Sequence, residues 1–261
     1  MLLLISPAKT LDYETPTTVR SRGEPHFMAQ AAGLIDLLKP QTPAQIAALM
    51  DLSDPLAALN VGRYAAWSPR STRRNSRAAV LAFAGDVYTG LDAPSLAAAD
   101  LAWAQDHLVI LSGLYGVLKP LDPLQPYRLE MGTRLANPQG KDLYAYWRAQ
   151  IAAYLNDRQA GKRQPVVVNL ASQEYFKAVD RRVLAARVVE CVFEDCKAGQ
   201  WKVISFWAKR ARGAMARFVI QQRLREVDGL KAFDADGYIF DAAASEPDRW
   251  VFRRRHTPVA A

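Results

Sequence analysis

The chain has 261 residues, half of them hydrophobic and 23% charged, so it holds ample material for a core and is not a disordered sequence. A formal charge of +8 and a pI near 9.6 favour anionic partners such as nucleic acid, nucleotides or phospholipid. Two cysteines exclude a disulfide scaffold and point to the reducing cytoplasm, and no apolar run reaches the roughly 18 residues that span a bilayer.

Met1–Ile5 is apolar but lacks a basic leader and is stopped by Ser6-Pro7, so Leu2–Ser6 reads as a buried first strand rather than an export signal. Helical patterns follow at Phe27–Leu38, Pro43–Met50 and Pro55–Ala66. Thr42-Pro43 supplies a cap and a first-turn proline, and Ser53-Asp54-Pro55 breaks and restarts the helix, giving a helical appendage at about 41–67. The basic stretch Ser68–Arg77 reads as a solvated loop. Next come a strand at Val80–Phe83, a helix at Leu96–Gln105 and a strand at Leu108–Ser112. The segment Ser112–Gly132 is too rich in glycine and proline for regular structure and reads as a surface-running loop. A helix at Lys141–Arg158, a strand at Val166–Ala171, a helix opening at Tyr175–Lys177 and strands at Val188–Phe193 and Val203–Phe206 precede a helix at Ala208–Val227. Strands at Tyr238–Asp241 and Trp250–Arg253 end the series, with Arg253–Arg255 as a loose basic tail. Alternating strands and helices predict an α/β (α+β) fold, a mixed sheet with flanking helices in a single domain, and a monomer is the favoured assembly.

Ligands of α/β sheets bind beyond the carboxyl ends of parallel strands. The residues that follow the predicted strands are polar: Ser6–Thr10, Gly85–Gly90, Gly113–Gly116 and Ser172–Lys177. If these strands are parallel neighbours, one cleft collects Lys9, Tyr115, Arg128, Glu130, Ser172, Glu174 and Lys177. A second basic feature lies on the last long helix, with Lys209, Arg210, Arg212 and Arg217 around Gly213. That glycine either lets a phosphate approach the backbone or marks a helix–helix contact.

Other chemistries lack their residues. His26, His107 and His256 are far apart, and Cys191 alternates with Val189 and Phe193 as a strand residue does, so no metal site or redox pair is expected. There is no phosphate loop, dinucleotide fingerprint or nucleophile elbow, and no cofactor is implied.

Six ordered segments carry a resemblance: MLLLISPAKTLDYETP, FAGDVYTGL at Phe83–Leu91, the run Leu111–Leu135, GKDLYAYW at Gly140–Trp147, VNLASQEYFK at Val168–Lys177 and ISFWAKRARGAMARF at Ile204–Phe218. Together they closely resemble the bacterial YaaA peroxide-stress protein family. The resemblance implies a cytoplasmic protein that keeps unincorporated iron low during hydrogen peroxide stress. It also implies a compact α/β fold of unusual topology with a basic cleft, a helix-hairpin-helix-like element and DNA-binding ability; on the DNA-binding reading, double-stranded DNA that is bent, nicked or damaged is the expected partner. Lys9, Arg128, Lys177, Lys209, Arg212 and Arg217 fall within the matching segments. The hairpin would be Pro43–Ala66, but its turn, Asp51–Pro55, has two acids and no glycine, unlike a phosphate-holding hairpin.

Two functional readings follow. In the first, the cleft tracks DNA phosphates while Tyr115, Tyr127 or Trp207 stacks on bases. In the second, Glu130 and Glu174 beside Lys9 and Lys177 do acid–base work on a phosphorylated or nucleotide-like molecule. Direct iron storage lacks a carboxylate–histidine helix motif.

Overall fold

The structure is a computed structural model and describes residues 1–255; His256 lies outside them. Its elements are β1 (Leu2–Ile5), β2 (Thr10–Leu11), α1 (Met28–Leu38), α2 (Pro43–Met50), α3 (Asp54–Ala66), β3 (Arg77–Ala78), the single turn α4 (Ala79–Ala82), β4 (Phe83–Ala84), α5 (Asp86–Leu91) and α6 (Ala98–His107). There follow β5 (Leu108–Ser112), β6 (Gly116–Leu118), β7 (Pro123–Leu124), α7 (Leu143–Asp157), β8 (Val166–Asn169), α8 (Gln173–Phe176), β9 (Arg187–Lys197), β10 (Gln200–Lys202), α9 (Ser205–Gln222), β11 (Ile239–Phe240) and β12 (Arg249–Arg255).

The main sheet runs β11-β12-β9-β8-β1-β5-β6, with β10 on β9. Its centre is parallel: β1 pairs with β5 and β8, β8 with β9, and β9 with β12. The edges turn back as antiparallel hairpins, β5–β6, β9–β10 and β11–β12. β1 is buried along its length, as a strand covered on both faces requires. The chain first adds β5 and β6 on one side of β1 and later returns to add β8, β9 and β12 on the other, so the sheet has a switch point at β1. A mixed sheet with flanking helices is the architecture the alternation of elements implied.

Several elements differ from the sequence reading. Val80–Phe83 is not a strand. Ala79–Ala82 form a buried helical turn, and Ala79 N and Val80 N donate to Asp122 O and Pro120 O. A short apolar run has no period that separates a strand from a buried helical turn. Val203–Phe206 leads into α9 instead, and the strand of this region is β10, which pairs with β9 antiparallel. The last long helix stops at Gln222, where Arg223 takes a left-handed φ of 51°. Arg253–Arg255 is no loose tail: it belongs to β12, paired in register with Glu194–Cys196 of β9.

The Ser112–Gly132 segment does not run over the surface. Leu114, Tyr115, Val117, Leu118, Leu121, Leu124, Tyr127, Leu129 and Met131 are buried. Its apolar side chains outweigh its breakers, and β6 and β7 pair part of its backbone with β5 and β3. Gly113 is required by contact: a Cβ there would lie 2.1 Å from Leu129 O. Gly213 marks a helix–helix contact, because a Cβ on it would lie 1.8 Å from Val87 O of α5.

A candidate anion-binding cleft

The cleft is assembled by the parallel pairing of β1 and β8. Leu4 of β1 is in register with Asn169 of β8, so Ser6 and Ser172, a few residues further on, emerge at the same end of the sheet. Ser172 N donates to Ser6 Oγ at 2.9 Å, and the two hydroxyls lie 3.3 Å apart. Ser172 Oγ also caps α8 by accepting from Tyr175 N at 3.4 Å. From α5, Tyr88 donates its phenol to Ser6 O at 3.1 Å. These bonds hold a floor to a cavity of about 340 Å³ whose charged lining is Lys9, Asp86, Glu130, Glu174, Lys209 and Arg212.

The buried Ser112–Gly132 segment ends in this cavity. Glu130 bridges two cations there: Lys9 Nζ lies 2.8 Å from Oε2, and Arg128 Nη2 lies 3.0 Å from Oε1. The Tyr64 hydroxyl of α3 donates to the backbone carbonyl of Arg128 and ties the helical pair to this wall. Lys9 is 64% exposed, so solvent screens its pair and the ammonium can serve a second anion. Glu174 is anchored through Oε1, which accepts from Gly132 N at 3.0 Å.

α9 supplies the opposite wall. Lys209 is exposed and makes no ion pair among the described residues. Arg212, three residues on, is largely buried, and its Nε has no hydrogen-bond partner. Burial lowers the pKa of this guanidinium, with Glu190 acting in the other direction.

Lys9, Glu130, Ser172, Glu174, Lys209 and Arg212 are therefore brought together. Arg128 stands behind Glu130. Lys177 is exposed and does not line the cavity, its ammonium 4.7 Å from the centroid of the Tyr144 ring. Arg210 turns to Asp236 of the next segment, at 3.8 Å. Arg217 is taken up by the fold: Nη1 donates to Asp92 O at 2.8 Å and Leu91 O at 3.1 Å, closing the carboxyl end of α5.

The expected aromatic lining is corrected outright. Tyr115 is fully buried and its hydroxyl accepts from Trp67 Nε1 at 2.9 Å; burial pushes its pKa up to about 12. Tyr127 is also buried, 2.6 Å from Ser112 Oγ. Neither ring can meet a base in the folded protein, because each is the large apolar side chain that fills the space under the segment. Trp207 packs under the Arg254 guanidinium, 4.8 Å from its centroid. The aromatic presented to solvent is Phe206, 50% exposed and one turn before Lys209.

The sequence also missed Ser6, Asp86 and Tyr88. Ser6 stood at the end of the first strand and Asp86 and Tyr88 in a polar strand-end loop, which were the available signals. A second basic groove was missed as well. Arg20, Arg73, Arg74 and Arg77 line a hollow of about 670 Å³ in which Glu14 is the single lining carboxylate. Arg77 Nη1 donates to Thr15 O at 2.7 Å and fixes the threonine-rich loop that forms its other side. Arg20, Arg73 and Arg74 are exposed and form no ion pair among the described residues. In the sequence, Arg73 and Arg74 carried only the signal of a solvated basic loop.

Metal and thiol chemistry have little here. Among the described residues, no group of three or more histidine, cysteine or acidic side chains is placed to hold a metal. Burial pushes the Cys191 thiol up to about 12, so it stays protonated near neutrality. Among the described residues no helix is long and apolar enough to cross a membrane.

A mixed α/β sheet with a charged cleft at the switch point of its parallel strands defines the class. Within it, the chain belongs to the peroxide stress protein YaaA family, whose model matches residues 1–244. It is 66% identical over 254 residues to a UPF0246 protein of Leptothrix cholodnii, covering 97% of this chain and 98% of that one. It is 64% identical over 255 residues to a UPF0246 protein of Albidiferax ferrireducens, with 98% of each chain covered. A UPF0246 protein of Bordetella pertussis is 61% identical over 255 residues, covering 98% of this chain and 99% of that one.

Proposed function

We propose that this peroxide-stress protein binds duplex DNA in the cytoplasm, and that its effects on iron and on oxidative DNA damage follow indirectly from that binding. The observation that carries the reading is a set of exposed cations with no carboxylate partner among the described residues: Arg20, Arg73, Arg74, Lys177 and Lys209. Most other arginines near the site are engaged by the fold, as Arg210 and Arg217 are. Unpaired surface cations are what a phosphate backbone recruits, with release of its counterions.

The two basic grooves are close. Lys9 of the cleft and Thr15 of the second groove are six residues apart, at most about 20 Å along the chain. That is less than one turn of B-DNA, about 34 Å. One duplex can therefore touch both. Phe206, three residues before Lys209 on α9, adds an exposed apolar face.

The α2–α3 hairpin is left out of this interface. Asp51 N and Leu52 N both bond back to Ala47 O, and Asp51 and Asp54 put two negative charges at the turn. A turn whose amides are used and whose side chains are acidic repels phosphate.

The test is duplex affinity across a salt series for the wild type, Lys9→Ala/Lys209→Ala and Arg73→Ala/Arg74→Ala. Each pair is expected to lower affinity and to make the log–log salt slope shallower by about two, near 0.9 per lost phosphate contact. Unchanged slopes in both variants, or no wild-type binding at low salt, would remove the reading.

A further inference from the structure

We infer that the 340 Å³ cavity at the β1–β8 strand ends also binds a small phosphate monoester on a hydroxylated body, of the size of a nucleoside monophosphate or sugar phosphate. This goes beyond DNA binding and does not depend on it.

The two readings share Lys9 and Lys209, and size distinguishes their ligands. A duplex lies across grooves and cannot enter a cavity of 340 Å³, whereas that volume is at the lower end of pockets that enclose one small organic molecule. Position points the same way. The cavity opens at the carboxyl ends of parallel strands beside the switch point at β1, where α/β folds place their small ligands.

The lining chemistry specifies the ligand. Lys209 and Arg212 are three residues apart on α9 and so lie on one side of the helix, facing the same ligand group. Arg212 brings a guanidinium with a buried Nε that no protein atom satisfies. Buried donors in native proteins are nearly always paired, and an anionic oxygen in the cavity would pair this one. The rest of the lining supplies acceptors: the Glu174 carboxylate, fixed by Gly132 N at 3.0 Å, and the Asp86 carboxylate of α5, while Ser6 Oγ donates to Ser172 Oγ, which also accepts from Tyr175 N. Glu130 adds little repulsion, because Lys9 and Arg128 both contact it. Cations on one wall and oriented acceptors on the other suit a molecule with a phosphate at one end and hydroxyl donors at the other. Inorganic phosphate would use only half of that lining.

The experiment is calorimetric titration of the full-length protein with AMP and with ribose 5-phosphate, with adenosine as the phosphate-free control. The expected result is saturable binding of at least one phosphate ester and none of adenosine. Arg212→Met, close in volume, is expected to weaken it at least tenfold, and the exposed Lys209→Ala, which cannot disturb the core, several-fold. Arg73→Ala/Arg74→Ala, whose side chains line the other groove, is expected to bind the ester as the wild type does. The inference is overturned if the wild type binds neither ester at millimolar concentration, or if both variants bind as the wild type does. A wild type that binds an ester but no duplex would instead remove only the DNA reading.

Discussion

Replacing Gly213 with alanine lowers the melting temperature by about 6–12 °C, the expected effect of about 3 kcal/mol of overpacking in a chain of this size. Alanine is the better helix former by about 1 kcal/mol, so propensity alone would raise the melting temperature. Contact reverses the sign. The new Cβ would lie 1.8 Å from Val87 O and 2.7 Å from Leu91 N, both backbone atoms of α5. The approach is reciprocal: a Cβ on Gly90 of α5 would lie 2.0 Å from Arg210 O of α9. Neither helix can yield by rotating a side chain, so the two must separate. That separation moves the wall that carries Lys209 and Arg212. Thermal unfolding followed by circular dichroism reads the effect. An unchanged or higher melting temperature would mean the helices are not in contact here.

Asp195→Ala is expected to cost about 3–5 kcal/mol, because it strands a buried cation. Asp195 is fully buried on β9, and Arg254 of β12 is 8% exposed. Arg254 Nε donates to Asp195 Oδ1 at 2.7 Å, and Tyr238 donates its hydroxyl to Oδ2 at 2.7 Å. The guanidinium also lies 4.4 Å from the centroid of Tyr238 and 4.8 Å from that of Trp207. Burial is the main cause that raises the Tyr238 pKa, and its bond to Asp195 adds to it, so the phenol stays a donor. Without the carboxylate the guanidinium keeps its aromatic neighbours and loses its counter-charge. The double variant Asp195→Leu/Arg254→Met removes both charges and is expected to recover most of the loss. Urea unfolding midpoints of the two variants check this, and equal midpoints would show that the pair is not the source of the effect.

These two sites also show what the sequence could and could not carry. The parallel core was legible because Leu2–Ile5, Leu108–Ser112 and Val166–Asn169 are apolar runs followed by polar strand ends. That pattern brought Lys9, Ser172 and Glu174 to one place, since strand-end residues share a cleft wherever their strands are parallel neighbours. Tyr115 and Tyr127 were misread because a glycine- and proline-rich segment looks like a surface loop until its packing is known. Whether a tyrosine faces water depends on what lies over it, here Trp67 and Ser112 among others. Arg254 looked like tail charge because its partner Asp195 is 59 residues away in sequence, across a strand pairing that no local pattern reveals. Gly213 left two readings open, and only the position of α5 decides between them. The second basic groove escaped notice because Arg20 and Arg73 come to line one hollow only through long-range bonds such as that from Arg77 to Thr15.

Hydrogen–deuterium exchange with and without a DNA duplex of about two helical turns tests the DNA reading most directly. Protection is expected in residues 9–21, 70–77 and 172–177 and in the first turns of α9, with the α2–α3 turn at 50–54 unchanged. Protection confined to that turn, or none in any of these segments at a saturating concentration of duplex, would contradict the assignment of the basic grooves as the DNA surface.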